Sequence, residues 1–109
     1  MCSICGILGG NQDHRREVIS AVNETMKTRG PDQNGIYLSG NVSLGHNRLA
    51  IIDVENGIQP MTRSYMGRDF TIVYNGELYN TPELTALIKE HGVTPTTYCD
   101  TEVVLYLYI

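Results

Sequence analysis

The chain has 109 residues, with 8 basic and 12 acidic side chains and a formal net charge of −4. That size fits one domain, and an acidic balance without a basic stripe argues against nucleic acid or an anionic membrane surface as partner. No run approaches the roughly 18 apolar residues of a membrane-spanning helix, and no basic-then-apolar leader opens the chain, so a cytoplasmic protein is expected.

Ile4 to Leu8 is short, apolar and followed by Gly9-Gly10, which predicts a buried strand ending in a turn. Val18, Ile19, Val22 and Met26 recur at helical spacing behind Asn11-Gln12-Asp13, with Gly30-Pro31 as the stop, and predict an amphipathic helix with one buried face. Ile36 to Leu38 and Val42 to Leu44 flank Ser39-Gly40-Asn41 as a hairpin. Leu49 to Val54, apolar apart from Asp53, reads as a further buried strand. Asn56-Gly57 marks a turn, and Gln59-Pro60 extends the irregular stretch because proline restricts its predecessor and cannot donate to a ladder. Phe70 to Tyr74 is another strand, halting at Asn75-Gly76. Thr81 is expected to cap a helix with Pro82 at its first position, running through Leu84, Leu87 and Ile88 to Gly92. Asp100 or Thr101 is expected to cap a last helix starting at about Glu102.

Strands gather ahead of helices instead of alternating with them, which indicates an α+β fold. The segment Val103 to Ile109 is aliphatic or aromatic throughout, with no polar turn after it, so the 109 residues are expected to be the front part of something longer.

The chemistry-bearing residues start at Cys2. Loss of Met1 would leave a free α-amine on the carbon next to the one bearing the thiol, placing base and nucleophile on one residue. An unperturbed thiol of pKa about 8.5 is mostly protonated at pH 7, and an α-amine at about 7.7–8.0 is suited to take its proton. A lone cysteine is by itself only a candidate nucleophile. Cys2-Ser3-Ile4-Cys5 also spells a CxxC, so a redox pair or half a zinc site is an alternative, although no second CxxC or paired histidines follow. Asn75-Gly76 offers a side-chain amide and a backbone N–H for an oxyanion, or is simply a hairpin turn. Arg48 enters an apolar run, where its fork suits a carboxylate, or pairs with Asp53 or a surface glutamate. Asp100 reads as a helix cap or a ligand for a cation, and Glu77 follows Asn75-Gly76 where a substrate ammonium could meet it.

Their order is more specific than any one of them. Cys2 with Cys5-Gly6-Ile7, then Arg29-Gly30-Pro31-Asp32, Gly45-His46-Asn47-Arg48-Leu49-Ala50-Ile51-Ile52-Asp53, Gln59-Pro60-Met61, Tyr74-Asn75-Gly76-Glu77-Leu78-Tyr79-Asn80 and Cys99-Asp100-Thr101-Glu102 resembles the class II glutamine amidotransferases over essentially the whole chain. Within them it is most similar to the glutamine-hydrolysing asparagine synthetase branch. The resemblance implies Cys2 as nucleophile with its own α-amine as base, and Asn75 and Gly76 as oxyanion hole. It also implies Arg48 on the α-carboxylate of L-glutamine, backbone groups of Ile51 and Ile52 lining the pocket, and Glu77 and Asp100 near the α-ammonium. No metal or cofactor is expected in this region; ATP and magnesium belong to a synthetase domain absent here, a partner in cis, and a homodimer is conceivable. The implied fold is the N-terminal part of an αββα four-layer sandwich of the N-terminal-nucleophile hydrolase type, truncated within residues 1–109. Two alternatives stand beside this reading: a truncated fragment without activity of its own, and the glutaminase part of a related amidotransferase acting on another carboxylate.

Overall fold

The computed structural model describes residues 2–51, 53 and 55–109. The first unit is β1 (Ser3–Leu8), α1 (Gln12–Thr25), a single 3-10 turn (Lys27–Arg29), β2 (Gln33–Ser39) and β3 (Val42–Arg48). Its three strands form an antiparallel sheet in the order β1-β3-β2, with α1 across one face. A second unit is the antiparallel hairpin of β4 (Met61–Tyr65) and β5 (Arg68–Ile72), followed by α2 (Thr81–Glu90) and α3 (Asp100–Tyr108), with α3 packed on the hairpin and on α2. The architecture is therefore α+β, and among the described residues no helix is long and apolar enough to cross a membrane.

The first turns follow the sequence closely. Gly9 and Gly10 adopt φ of 87° and 74°, which favour glycine, and carry the chain out of β1. Asn11 caps α1, its side chain accepting from Asp13 N at 2.9 Å and His14 N at 3.2 Å. Gly40-Asn41 closes the β2–β3 hairpin in two residues.

The buried face of α1 departs from the expected apolar one. It consists of Arg15, Ile19 and Asn23, one helical turn apart, while Val22 is largely exposed. The cause lies in the sheet below. Alternation along β3 turns Ser43, Gly45 and Asn47 toward the helix, so the surface that α1 must match is polar. Asn47 Nδ2 donates to Asn23 O at 2.7 Å, Asn23 Oδ1 at 3.0 Å and Ser3 Oγ at 3.1 Å, while its own Oδ1 accepts from Asn34 at 2.8 Å. A Cβ on Gly45 would lie 3.0 Å from the Asn23 side chain and 2.6 Å from Cys5 Sγ, so the close approach requires glycine. Arg15, 2% exposed, donates to Ser43 Oγ, to the carbonyls of Gly9 and Gly10, and to that of Gly40, tying two turns to the helix.

Residues 49–51 and 53 do not continue as the expected strand. Both edges of β3 are already taken by β1 and β2, and the next donors go elsewhere: Leu49 N to Cys2 Sγ at 3.4 Å and Ala50 N to Asp32 Oδ2 at 2.7 Å. Ile51 is 78% exposed, and Asp53 takes a φ of 47°; Ile52 and Val54 lie outside the described residues. β4 has no counterpart in the sequence reading, because Thr62-Arg63-Ser64 breaks the apolar pattern. β5 spans Arg68–Ile72, two residues earlier than the expected strand, because Tyr74 N is engaged by a side chain. Asn80, not Thr81, occupies the cap position of α2, and Thr81 Oγ1 donates to Leu78 O at 2.6 Å. Pro82 is therefore the second helical residue and not the first, still within the turn whose N–H groups have no intrahelical partner, and Gly92 leaves the helix at φ 85°. α3 begins at Asp100, with Cys99 at its cap position and without a side-chain cap.

The apolar core lies in the second unit, where Met61, Cys99 and Leu105 pack with Phe70, Ile72 and Ile109. Beside it sits a buried charge. Glu102, fully shielded from solvent, accepts from Thr96 N and Oγ1, from Thr97 N at 2.7 Å and Oγ1 at 2.6 Å, and from Arg63 Nε at 2.9 Å. Burial alone would raise its pKa, but the donors of Thr97, Thr96 and Arg63 outweigh it and hold the carboxyl down to about 2, against an ordinary 4.5. A depressed carboxylate contributes stability above its unfolded pKa and loses it as pH falls through the folded one. Urea midpoints should accordingly fall between about pH 4.5 and 2, a loss of roughly 3 kcal/mol. In Glu102→Gln the protein should be weaker at neutral pH and most of this acid slope should vanish.

Candidate active site

Beyond its helix-facing residues, β3 presents His46 and Arg48 to the opposite side, toward the second unit. There a cleft of about 340 Å³ opens, within the range of roughly 300–1,000 Å³ common for small-molecule sites. Cys2 enters it from just ahead of β1, Arg48 from the end of β3, and Ile51 from the loop that follows. Asn75, Gly76 and Glu77 enter from the segment between β5 and α2, and Asp100 from the first residue of α3. The cleft thus gathers Cys2, Arg48, Ile51, Asn75, Gly76, Glu77 and Asp100, and of the residues that the resemblance implies for the site Ile52 lies outside the described residues.

Cys2 Sγ meets both sides of one residue, accepting from Leu49 N at 3.4 Å and lying 3.8 Å from Leu49 O. Cys5 lies an odd number of residues along the chain and faces α1 instead, where its thiol approaches Asn23 Oδ1 at 3.7 Å and burial raises its pKa. The CxxC therefore does not pair its sulfurs: all three cysteines are free, and among the described residues no group of three acidic, histidine or cysteine side chains is placed to hold a metal ion.

Arg48, 4% exposed, is held with its fork in the cleft wall. Nη1 donates to Gln33 Oε1 at 3.1 Å and Nη2 to the backbone carbonyl of Asp53 at 2.8 Å. Its contact with Asp53 is through that backbone carbonyl. The Asp53 carboxylate accepts from Tyr98 N at 2.8 Å, which holds its pKa below the usual range, and from Asn56. Two acids line the same cleft. Asp100 Oδ2 accepts from Leu78 N at 3.0 Å, so this carboxylate braces the Glu77-Leu78 segment instead of capping its own helix. The phenol of Tyr74 registers their field: burial raises its pKa, and Asp100 and Glu77 raise it further. The cleft is thus lined by one guanidinium, that of Arg48, and two carboxylates, those of Glu77 and Asp100.

Asn75-Gly76 is not a hairpin turn, since the β5 ladder has ended at Ile72 and no strand follows. Both residues are exposed to the cleft. Gly76 is crowded by its neighbour's ring, as a Cβ there would lie 2.8 Å from Tyr74 Oη. Gln59, Tyr74 and Thr101 also line the cleft, although the sequence reading gave them no role. The only signal was their place inside the Gln59-Pro60-Met61, Tyr74-to-Asn80 and Cys99-to-Glu102 segments.

With this geometry in view, comparison with known proteins is specific. A family model described as a glutamine amidotransferase domain matches residues 1–109. The chain belongs to this family, the class II glutamine amidotransferases. Its curated relatives include asparagine synthetase [glutamine-hydrolyzing] 3 of Bacillus subtilis, 38% identical over 111 residues, covering 100% of this chain and 18% of that protein. Asparagine synthetase [glutamine-hydrolyzing] 1 of Arabidopsis thaliana is 38% identical over 112 residues, covering 99% of this chain and 18% of that protein. A putative asparagine synthetase [glutamine-hydrolyzing] 2 of Methanocaldococcus jannaschii is 38% identical over 125 residues, covering 99% and 24%. The chain thus spans about a fifth of the length of these relatives.

The seat of Arg48 is testable. A Cβ on Gly57 would collide with Arg48 Nη2, the far end of a flexible side chain. Gly57→Ala should therefore displace the guanidinium and, because its hydrogen bonds to Gln33 and Asp53 are then weakened, lower the thermal unfolding midpoint by several degrees while the protein stays folded. In calorimetric titration on a Cys2→Ala background, affinity for L-glutamine should fall about tenfold or more, the scale of a lost charge-assisted hydrogen bond.

Proposed function

We propose that this chain carries the ammonia-donating glutaminase site of a glutamine-dependent asparagine synthetase. The observation that carries the reading is the single cleft shared by Cys2, Arg48, Asn75, Gly76, Glu77 and Asp100, residues drawn from opposite ends of the sequence. Family membership and the similarity to asparagine synthetases support it.

In this mechanism Met1 is removed and the α-amine of Cys2 takes the thiol proton. The thiolate attacks the side-chain amide carbon of glutamine, forming a C–S bond while the carbonyl electron pair moves to oxygen. The Asn75 side-chain N–H and the Gly76 backbone N–H stabilise that oxyanion. Return of the proton to the amide nitrogen releases ammonia as the C–N bond breaks, leaving a γ-glutamyl thioester. Water, deprotonated by the same amine, cleaves the thioester to glutamate and regenerates the thiol. Arg48 holds the substrate carboxylate, Glu77 and Asp100 its ammonium, and backbone groups of Ile51 and Ile52 close the pocket wall. The ammonia would serve a synthetase domain that uses ATP and magnesium to activate aspartate, and the fold would complete the αββα sandwich of N-terminal-nucleophile hydrolases.

Intact mass should show Met1 absent, and a glutamine-analogue chloroketone should label Cys2 alone. Cys2→Ala should abolish both labelling and ammonia release from glutamine. Labelling at Cys5 or Cys99, or a retained methionine in an active protein, would refute the assignment.

A further inference from the structure

We propose that His46 and Gln59 are positioning residues that grip Tyr74 from both sides and so aim Asn75 and Gly76 at the reacting carbonyl. The inference rests on the glutaminase reading above. Past Ile72 the ladder with β4 has ended, yet the next residues must hold an amide and an N–H in fixed directions. Two buried side chains take over. Gln59 Oε1 accepts from Tyr74 N at 2.6 Å, and His46 Nε2 meets Tyr74 O at 3.2 Å. The first bond fixes the peptide entering Tyr74. The second fixes the peptide leaving it, whose rotation would swing the Asn75 side chain and the Gly76 N–H together.

The chemistry of each grip is determined by its surroundings. Gln59, 5% exposed, donates from Nε2 to Thr101 Oγ1 at 3.0 Å, which orients its amide so that oxygen faces the Tyr74 N–H. Thr101 adjoins Asp100, so one acid of the cleft and the oxyanion donors are registered by one side chain. His46 is wholly buried, and a carbonyl can only accept, so Nε2 carries the proton. Its Nδ1 is the one buried side-chain polar atom without a hydrogen-bond partner among the described residues. Burial keeps the ring neutral by lowering its pKa, the Tyr74 carbonyl opposes this, and Arg48 reinforces it. The side-chain hydrogen bonding of this buried ring therefore runs through Nε2 to Tyr74.

Glutamine hydrolysis by the full chain tests this. His46→Leu and Gln59→Met should each lower kcat by about 10–100-fold with KM within about threefold, the cost of misaimed oxyanion donors. Alkylation of Cys2 by iodoacetamide, which needs no oxyanion hole, should keep its rate. His46→Gln retains an N–H donor toward Tyr74 O and should recover most of kcat. Unchanged kcat in both His46→Leu and Gln59→Met would overturn the inference. So would a rise in KM matching the fall in kcat, with His46→Gln no better than His46→Leu, the pattern of a core residue alone. Should circular dichroism show His46→Leu unfolded, the comparison of Gln59→Met with His46→Gln decides. Failure of the glutaminase reading looks different: the unsubstituted protein would then show no Cys2-dependent hydrolysis at all.

Discussion

A carboxylate removed from water must have its charge met inside the protein, and Glu102 is met by backbone and hydroxyl donors of Thr96 and Thr97 and by the Arg63 guanidinium. Those partners come from the loop before α3 and from β4, so one side chain fastens helix, loop and hairpin to a common point. The first turn of α3 is thereby fixed, and with it Asp100 and Thr101. From Thr101 the order passes to Gln59, from Gln59 to the Tyr74 N–H, and from the Tyr74 carbonyl to His46 on β3. The two units are joined across the cleft by directional bonds more than by apolar contact. Directional bonds set orientation within tenths of an ångström, which a site for carbonyl chemistry needs and a greasy interface does not supply.

The same economy governs the first unit. Its sheet meets α1 through asparagine, serine and arginine, and a layer of this kind is stable only if each polar group finds a partner. Asn23 and Asn47 satisfy one another and the neighbouring carbonyls, and Arg15 spends its donors on the carbonyls of two turns. Such a layer tolerates few substitutions but specifies register strictly. A one-residue slip of β3 would bring Leu44 and His46 under the helix and turn Asn47 into the cleft.

How much of this the sequence announced follows from what local pattern can encode. Strand β1, the β2–β3 hairpin and the Pro82 helix were legible as elements because turn glycines and periodicity are local signals, but β1 is not the buried strand expected, since Ile4 and Leu8 are 45% and 75% exposed. The strand read over Leu49 to Val54 failed because apolar composition does not reveal that both edges of the central strand are already occupied. Hairpin strand β4 was hidden because Arg63 serves a buried carboxylate far along the chain, which makes a core element look polar. The residues of the cleft were legible through the order of their motifs, since each taken alone had a plainer reading. Arg48 illustrates the limit: sequence offered Asp53 as its partner, and the fold provides Asp53 through the main chain. His46, Gln59 and Glu102 carried no signal beyond their place inside motif segments, since their meaning lies in which distant groups they touch.

The failed strand at residue 49 also explains how a thiol can work here. Had the ladder continued, the Leu49 N–H and C=O would both have been consumed by neighbouring strands. Released from the sheet, they face the Cys2 sulfur together. A thiol needs an acceptor for its proton, and a thiolate needs a donor for its charge. The Leu49 carbonyl serves the first state and the Leu49 N–H serves the second, so the sulfur can change protonation without moving. Arg48, the residue before, is the last rung of β3 and shares its rigidity. Consecutive residues therefore meet the Cys2 sulfur, through the Leu49 backbone, and bring a guanidinium to the same cleft, through Arg48.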